Sequence, residues 1–164
     1  MLRFLPSLTI IYRPDSAWRA VNAAPPRWYR SLLVQVLPFT LLCAIAWPNA
    51  STVVVSLAAV AILGLGFFAL APWFGVARSW DRSLAVAAYA STPFFLGWSL
   101  LLYPPLAVLA VVGLLHSFAL CYLGVQRVLG CRESEAALLV AAAWVFSVAG
   151  GMLLGGLCSA AGVI

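Results

Sequence analysis

The side chains that could do acid–base chemistry are few and far apart in this sequence. Apart from arginine, the charged residues are four acids, and there is a single histidine. These residues are Asp15, Asp81, Glu133, Glu135 and His116. They form no carboxylate pair, and the sequence contains no GxSxG, HExxH or phosphate-loop pattern. We therefore predict a protein that is not an enzyme and has no catalytic residues.

The thiols give no sign of a metal or redox site either. The four cysteines, at positions 43, 121, 131 and 158, form no CxxC pair and no cluster with histidine. Three of them fall inside apolar runs, where cysteine behaves as a small core residue. We predict no metal and no cofactor.

His116 is the one ionisable side chain deep in an apolar run, and polar groups in such runs are costly and often functional. Neutral histidine can also hydrogen-bond to a neighbouring helix. A proton path would need further acids or histidines nearby, and the four acids lie outside the apolar runs. A structural role is therefore the favoured interpretation of His116, with a buried polar site as the alternative.

The composition places these residues in a membrane. The chain has 164 residues, of which 65% are hydrophobic and 8% charged, whereas about a quarter of a soluble domain is charged. The runs are apolar on all sides, without the alternation of barrel strands. Five helical crossings are predicted, at about residues 32–47, 52–77, 84–103, 106–125 and 136–157. They form one transmembrane domain over 28–164.

The segment 1–27 is predicted to stay in the mature protein as a cytoplasmic or interfacial segment. A short helix after Pro14, capped by Asp15 or Ser16, would place Trp18 and Val21 on one face. An interfacial helix on the membrane is favoured over a flexible tail with one Trp anchor.

The arginines predict the orientation. In a model with five crossings all nine basic residues, which are arginines, fall on one side. By the positive-inside rule that side is cytoplasmic, so the amino terminus is inside and the carboxyl terminus outside. The use of arginine alone suggests a GC-rich bacterium and its inner membrane. Anionic lipid head groups are the expected neighbours, and no nucleic acid is expected. Asp81 is expected to pair with Arg78 and Arg82, and Glu133 and Glu135 to begin the fifth helix.

Small residues suggest where helices approach closely. In the fifth crossing they recur at every fourth position, at Ser147, Gly151, Gly155 and Ser159. This stripe could face a helix of the same chain, a second copy or another subunit. Gly64 and Gly66 in the second crossing are interpreted as close-packing positions.

The third crossing should be kinked. Pro93 removes a backbone donor and frees a carbonyl near Tyr89, which a neighbouring Ser or Thr hydroxyl can satisfy. With Pro104 and Pro105, this kink would shape the hairpin of the third and fourth crossings.

An ordered set of motifs resembles the Yip domain family over nearly the whole chain. A proline followed by tryptophan, Pro14 and Trp18, resembles the start of that family's domain. The other matching positions are Tyr89, Thr92, Pro93, Tyr103, Pro104, Tyr122 and Gly124. The resemblance implies five helices with a cytoplasmic amino terminus. Eukaryotic members are linked to Rab GTPases and have a long cytoplasmic amino-terminal region. This sequence shows no counterpart of that region, so Rab binding is not expected for it.

Two functions are consistent with these patterns. The first is a non-enzymatic scaffold or accessory subunit that binds another membrane protein or itself, as the small-residue stripe suggests. The alternative is a lipid- or small-solute-handling protein, such as a transporter or scramblase component, for which His116 and the proline-kinked helices are the motivation.

Overall fold

The chain folds as a bundle of apolar helices. The computed structural model describes residues 5–24, 27–46 and 50–160, and it describes side-chain surroundings for these except at 5–8, 46, 50–51, 102, 104 and 154–160. Within these ranges all regular elements are helical. Four stretches are long and apolar enough to cross a bilayer, Trp28–Ile45, Thr52–Phe74, Ala107–Leu129 and Glu133–Leu153. The prediction of an all-helical membrane protein is confirmed.

Two short helices precede the first long one, α1 at Leu5–Tyr12 and α2 at Pro14–Ala23. The sequence did not predict α1. Capping of α2 by Asp15 or Ser16 is wrong, because the N-cap is Arg13, two or three residues earlier. Pro14 is suited to the first helical position, since its fixed φ is helical and its missing N–H would have no partner there.

The apolar face of α2 is covered by protein. Ala17, Trp18 and Val21 are all buried, and Trp18 has no exposed surface. An ion pair of 3.3 Å between Asp15 and Arg127 also joins α2 to the end of a later helix. The predicted sharing of one face by Trp18 and Val21 is therefore correct, but that face packs on the bundle and is not turned to lipid.

The first predicted crossing contains a wide turn that its sequence did not predict. It consists of α3 at Trp28–Arg30, a π-helical segment at Ser31–Val36 and α4 at Leu37–Ala46. The second consists of α5 at Ala50–Leu70, which continues as a 3₁₀ turn over Ala71–Phe74. It ends at Gly75, whose φ of +66° suits glycine, so the predicted extension to residue 77 is too long.

The third predicted crossing is two helices in series. These are α6 at Trp80–Ala90 and α7 at Thr92–Ser99, followed by a 3₁₀ turn at Leu100–Leu102. Because the helix is interrupted at residue 91, this segment is not among the four uninterrupted candidates for a membrane span.

The fourth and fifth predicted crossings are long helices. A 3₁₀ turn at Pro104–Leu106 leads into α8 at Ala107–Gly124, which ends in a π-helical segment at Val125–Leu129. The last helix, α9, covers Glu133–Ala160 and has Glu133 and Glu135 in its first turn, as predicted.

Helix α5 packs between α6 and α9, and glycines let it approach both. A Cβ on Gly64 would lie 2.7 Å from the Leu84 side chain, and one on Gly66 would lie 3.3 Å from the carbonyl oxygen of Ala143. Both glycines are therefore close-packing positions, because an added methyl group would meet the neighbouring helix.

The described arginine-bearing segments meet at one end of the bundle, called here the arginine end. Asp81, at the start of α6, accepts a hydrogen bond of 2.7 Å from the backbone N–H of Trp28, at the start of α3. The predicted pairing of Asp81 with Arg78 and Arg82 is wrong, since Asp15 with Arg127 is the ion pair found among the described residues. The Asp81 carboxylate instead satisfies a donor at the start of a helix, where no intrahelical acceptor exists.

Candidate functional site

The third predicted crossing is interrupted at Ser91, between α6 and α7. Pro93 lies in the first turn of α7 and has no N–H to donate to the carbonyl four residues earlier, so the helix cannot continue unbroken. The Ser91 hydroxyl donates to the Ala87 carbonyl at 2.7 Å, and the same carbonyl accepts the Ser91 N–H at 3.1 Å. The kink that the sequence predicts near Pro93 is thus found as a break, but the serine hydroxyl lies on a carbonyl that keeps its backbone partner and not on the Tyr89 carbonyl that Pro93 frees.

Side chains from three other helical segments hold the break. The Ser117 hydroxyl of α8 accepts from the Phe94 N–H at 3.1 Å, which satisfies a donor that has no helical partner. The Gln35 amide donates to the Thr92 hydroxyl at 2.9 Å. The Cys43 thiol of α4 donates to the Phe95 carbonyl of α7 at 3.3 Å. Since polar groups in lipid need internal partners, these contacts make the break a defined part of the structure.

Gln35 reaches the break from the π-helical segment of the first crossing. Its side chain is 2% exposed. Single π-turns are rare and often occur at functional sites. Gln35 was not among the site residues predicted from the sequence, although it is the one amide side chain in the predicted crossing 32–47. A costly polar group in an apolar run is the signal that would have found it.

Two glycines bring the backbones of α7 and α8 into contact. A Cβ on Gly113 would lie 2.5 Å from the carbonyl oxygen of Pro93, and one on Gly97 would lie 2.8 Å from the Cα of Ala110. Neither position has room for a methyl group, so α7 is tightly packed on α8.

A cavity of about 490 Å³ lies beside the break, between α5, α7 and α9. Most of its wall is apolar, and aromatic rings from α7 and α9 contribute much of it. Hydroxyl groups also line it, and no charged side chain does. The polar lining residues are Thr52, Ser56, Ser91 and Ser147, and the aromatic ones are Phe94, Phe95, Trp98 and Trp144.

The α9 wall of the cavity is held by contacts on both sides. The ring of Trp144 stacks on Phe118 of α8, with centroids 4.4 Å apart. The Ser147 hydroxyl lies 3.5 Å from the Ala59 carbonyl of α5. These contacts hold α9 beside α5 and α8 and so fix the α9 wall of the cavity.

His116 does not line the cavity. It is half-buried on α8, and its Nε2 has no hydrogen-bond partner among the described residues. Its sequence neighbour Ser117 is the residue that α8 contributes to the break. The structure therefore does not bring His116 together with the broken helix, although the two were the joint motivation for a transporter or scramblase role.

The residues of the small-residue stripe of α9 have different surroundings. Ser147 faces α5, whereas Gly151 is exposed and has no atom within 4 Å of an added Cβ. The surroundings of Gly155 and Ser159 lie outside the described residues. Gly150, which the sequence did not single out, packs on Ile62 with 2.9 Å between its Cβ position and the Ile62 Cγ2.

The motif residues lie at several places in the bundle. Thr92 and Pro93 form the break, while Tyr89 and Gly124 form a socket for Trp18. The ring centroids of Trp18 and Tyr89 are 6.3 Å apart, and a Cβ on Gly124 would lie 2.8 Å from the Trp18 ring. The Nε1 of Trp18 has no partner within the described part of the chain. Tyr122 packs on the core, Tyr103 is exposed, and Pro104 begins a 3₁₀ turn.

Comparison with known proteins identifies the family of this chain. The model of the Yip1 domain matches residues 8–155, which is well over half of the chain and includes α2, the break and the cavity. No curated protein and no solved structure matches the sequence. The resemblance seen in the motifs is confirmed, and this chain belongs to the Yip1 domain family.

Proposed function

We propose that the chain crosses the inner membrane of a bacterium five times, with its amino terminus in the cytoplasm and its carboxyl terminus outside. Residues 80–102 span roughly 34 Å at about 1.5 Å per residue, enough for a core of about 30 Å despite the break. The meeting of arginine-bearing segments at one end supports the orientation. Reporter fusions at the carboxyl terminus should report an outside location, and an inside location would contradict five crossings.

We propose that the protein is not an enzyme and works by holding an apolar molecule that it takes from the bilayer. The observation that carries this proposal is the uncharged cavity beside the broken helix. Its volume lies in the usual range of small-molecule sites, roughly 300–1,000 Å³. Broken helices form the binding sites of many membrane transporters. Here the lining has no charge, so a neutral, largely apolar molecule fits best.

Photolabelling with a small uncharged diazirine tests this proposal. Two adjacent valines of α5 provide a matched pair, because Val55 lines the cavity and Val54 does not. Their side chains are 60% and 66% exposed, so each site has room for a larger residue. Labelling of the cavity wall should fall several-fold in Val55→Trp and stay unchanged in Val54→Trp. Equal labelling in all three proteins would refute the proposal.

A scaffold or accessory-subunit role is a second candidate, and it is supported by the open surroundings of Gly151. The residue lies on an exposed part of α9 between Gly150, which packs inward, and the exposed Met152. A helix of another subunit or a second copy could approach there closely. Gly151→Ile should abolish copurification or crosslinking of such a partner, and Ala149→Ile, also exposed, should not. No partner with either variant or the wild type would remove this candidate.

A further inference from the structure

We propose that the molecule held in the cavity is one acyl chain of a membrane lipid, from the leaflet opposite the arginine end. This inference rests on the proposed function, because it names the class of apolar molecule that the cavity accepts. It depends on the length, the position and the distribution of polar groups along the cavity.

The cavity is as long as one leaflet. Its lining residues on α5 run from Thr52 to Leu63, which at about 1.5 Å per residue is roughly 16 Å. Half of a hydrocarbon core is about 15 Å. The facing wall runs from Ser91, at the break, to Trp98 of α7, which is roughly 10 Å. A space that is elongated along α5 fits a chain better than it fits a compact solute.

The position of the cavity assigns the leaflet. Thr52 is in the first turn of α5, at the end of the bundle away from the arginine end. Leu63, at the other end of the α5 lining, is midway along the candidate span Thr52–Phe74 and so lies near mid-membrane. The cavity therefore extends from the far surface to about the midplane. Trp98, 43% exposed, lies on the wall near the far surface, where tryptophan is favoured in membranes.

Two of the hydroxyl groups that line the cavity are engaged within the protein. The Ser91 hydroxyl donates to the Ala87 carbonyl, and the Ser147 hydroxyl donates to the Ala59 carbonyl. Leu63 provides apolar surface at the end of the α5 lining that lies near mid-membrane. The Thr52 end of the lining lies toward the far surface, where the ester groups of a lipid would be.

The side of the cavity that faces the membrane gives a chain a way in. Val55 lines the cavity yet is 60% exposed, so the lining continues onto the lipid-facing surface. A chain could enter sideways while its head group stays at the surface. A charged solute would have to leave water for a wall without charges, which is costly.

Photocrosslinking in vesicles tests the inference with two phosphatidylglycerols, one with a diazirine at the end of an acyl chain and one with it near the ester. The terminal diazirine should label Leu63, and the ester-proximal one should label Thr52. Val55→Trp should reduce both several-fold, and Val54→Trp should leave both unchanged. This depth pattern is measured on the wild type, so it does not depend on a variant folding.

Other outcomes would separate the two proposals. If the small uncharged diazirine labels the cavity but neither lipid does, the acyl-chain inference is overturned and the proposed function stands. If nothing labels the cavity, both fail. Lipid labelling that is independent of diazirine depth, or unchanged in Val55→Trp, indicates lipid on the outer surface only and also overturns the inference.

Discussion

Replacing Gly113 by alanine should loosen the packing of α7 on α8. The new Cβ would lie 2.5 Å from the carbonyl oxygen of Pro93 and 3.5 Å from the Cα of Gly97. The closest atom belongs to the backbone, so it cannot move away as the end of a flexible side chain could. The two helices must separate, which would also strain the hydrogen bond from Phe94 to Ser117.

The expected size follows from two opposing effects on the free energy of unfolding. Overpacking costs about 1–3 kcal/mol, while alanine is better than glycine in a helix by roughly 1 kcal/mol. These two ranges leave a net loss of about 0–2 kcal/mol, and the upper end is expected because the atom that the new Cβ meets belongs to the backbone. A loss of about 2 kcal/mol lowers the ratio of folded to unfolded protein roughly 30-fold. For a chain of this size the midpoint of thermal unfolding should fall by about 4–8 °C.

The measurement is thermal unfolding in lipid nanodiscs, followed by tryptophan fluorescence and by size-exclusion chromatography. Gly151→Ala is the matched control, because it is also a helical glycine but has no atom within 4 Å of the added Cβ. It should leave the midpoint unchanged or raise it slightly. Equal midpoints for the two variants would refute close contact between α7 and α8.

Three further changes test other contacts. Trp18→Ala should lower the free energy of unfolding by about 3–5 kcal/mol and expose α2 to proteases. Trp18→Phe should lower it less, because the Nε1 of Trp18 has no partner among the described residues. Equal protease sensitivity of Trp18→Ala and the wild type would contradict the packing of α2 on the bundle. A double-mutant cycle of Gln35→Leu and Thr92→Val should give a coupling of roughly 0.6–1.7 kcal/mol, and no coupling would remove that bond. Burial, and then the Glu135 carboxylate, raise the pKa of the Cys131 thiol. Less thiolate is therefore present at neutral pH, so a protein with Cys131 as its only cysteine should be alkylated slowly, and faster in Glu135→Gln; no change would contradict that contribution.

The sequence predicts the long helices well because their cause is local. A run of apolar residues of sufficient length must be helical in lipid. A proline inside such a run, as at Pro93, kinks or breaks the helix because it lacks a backbone N–H. The wide turn at Ser31–Val36 was not predicted, since no residue type specifies a π-turn. The length of α5 was overestimated because Pro72 and Gly75 act together to end it.

Most of the candidate site could not be predicted because it depends on contacts between distant segments. Trp18 was expected on an apolar face, but its socket is made by Tyr89 and Gly124, which are far away in the chain. The cavity likewise needs the relative positions of α5, α7 and α9, which no single motif encodes. His116 was selected because it is rare, and rarity in an apolar run does not say which way a side chain faces.

A structure determined in a lipid nanodisc would test the central claim most directly. We expect elongated density in the cavity between α5, α7 and α9, which extends from the depth of Leu63 to Thr52 and continues to a head group at the surface. A cavity filled by the protein's own side chains, or density confined to the outer surface of the bundle, would contradict it.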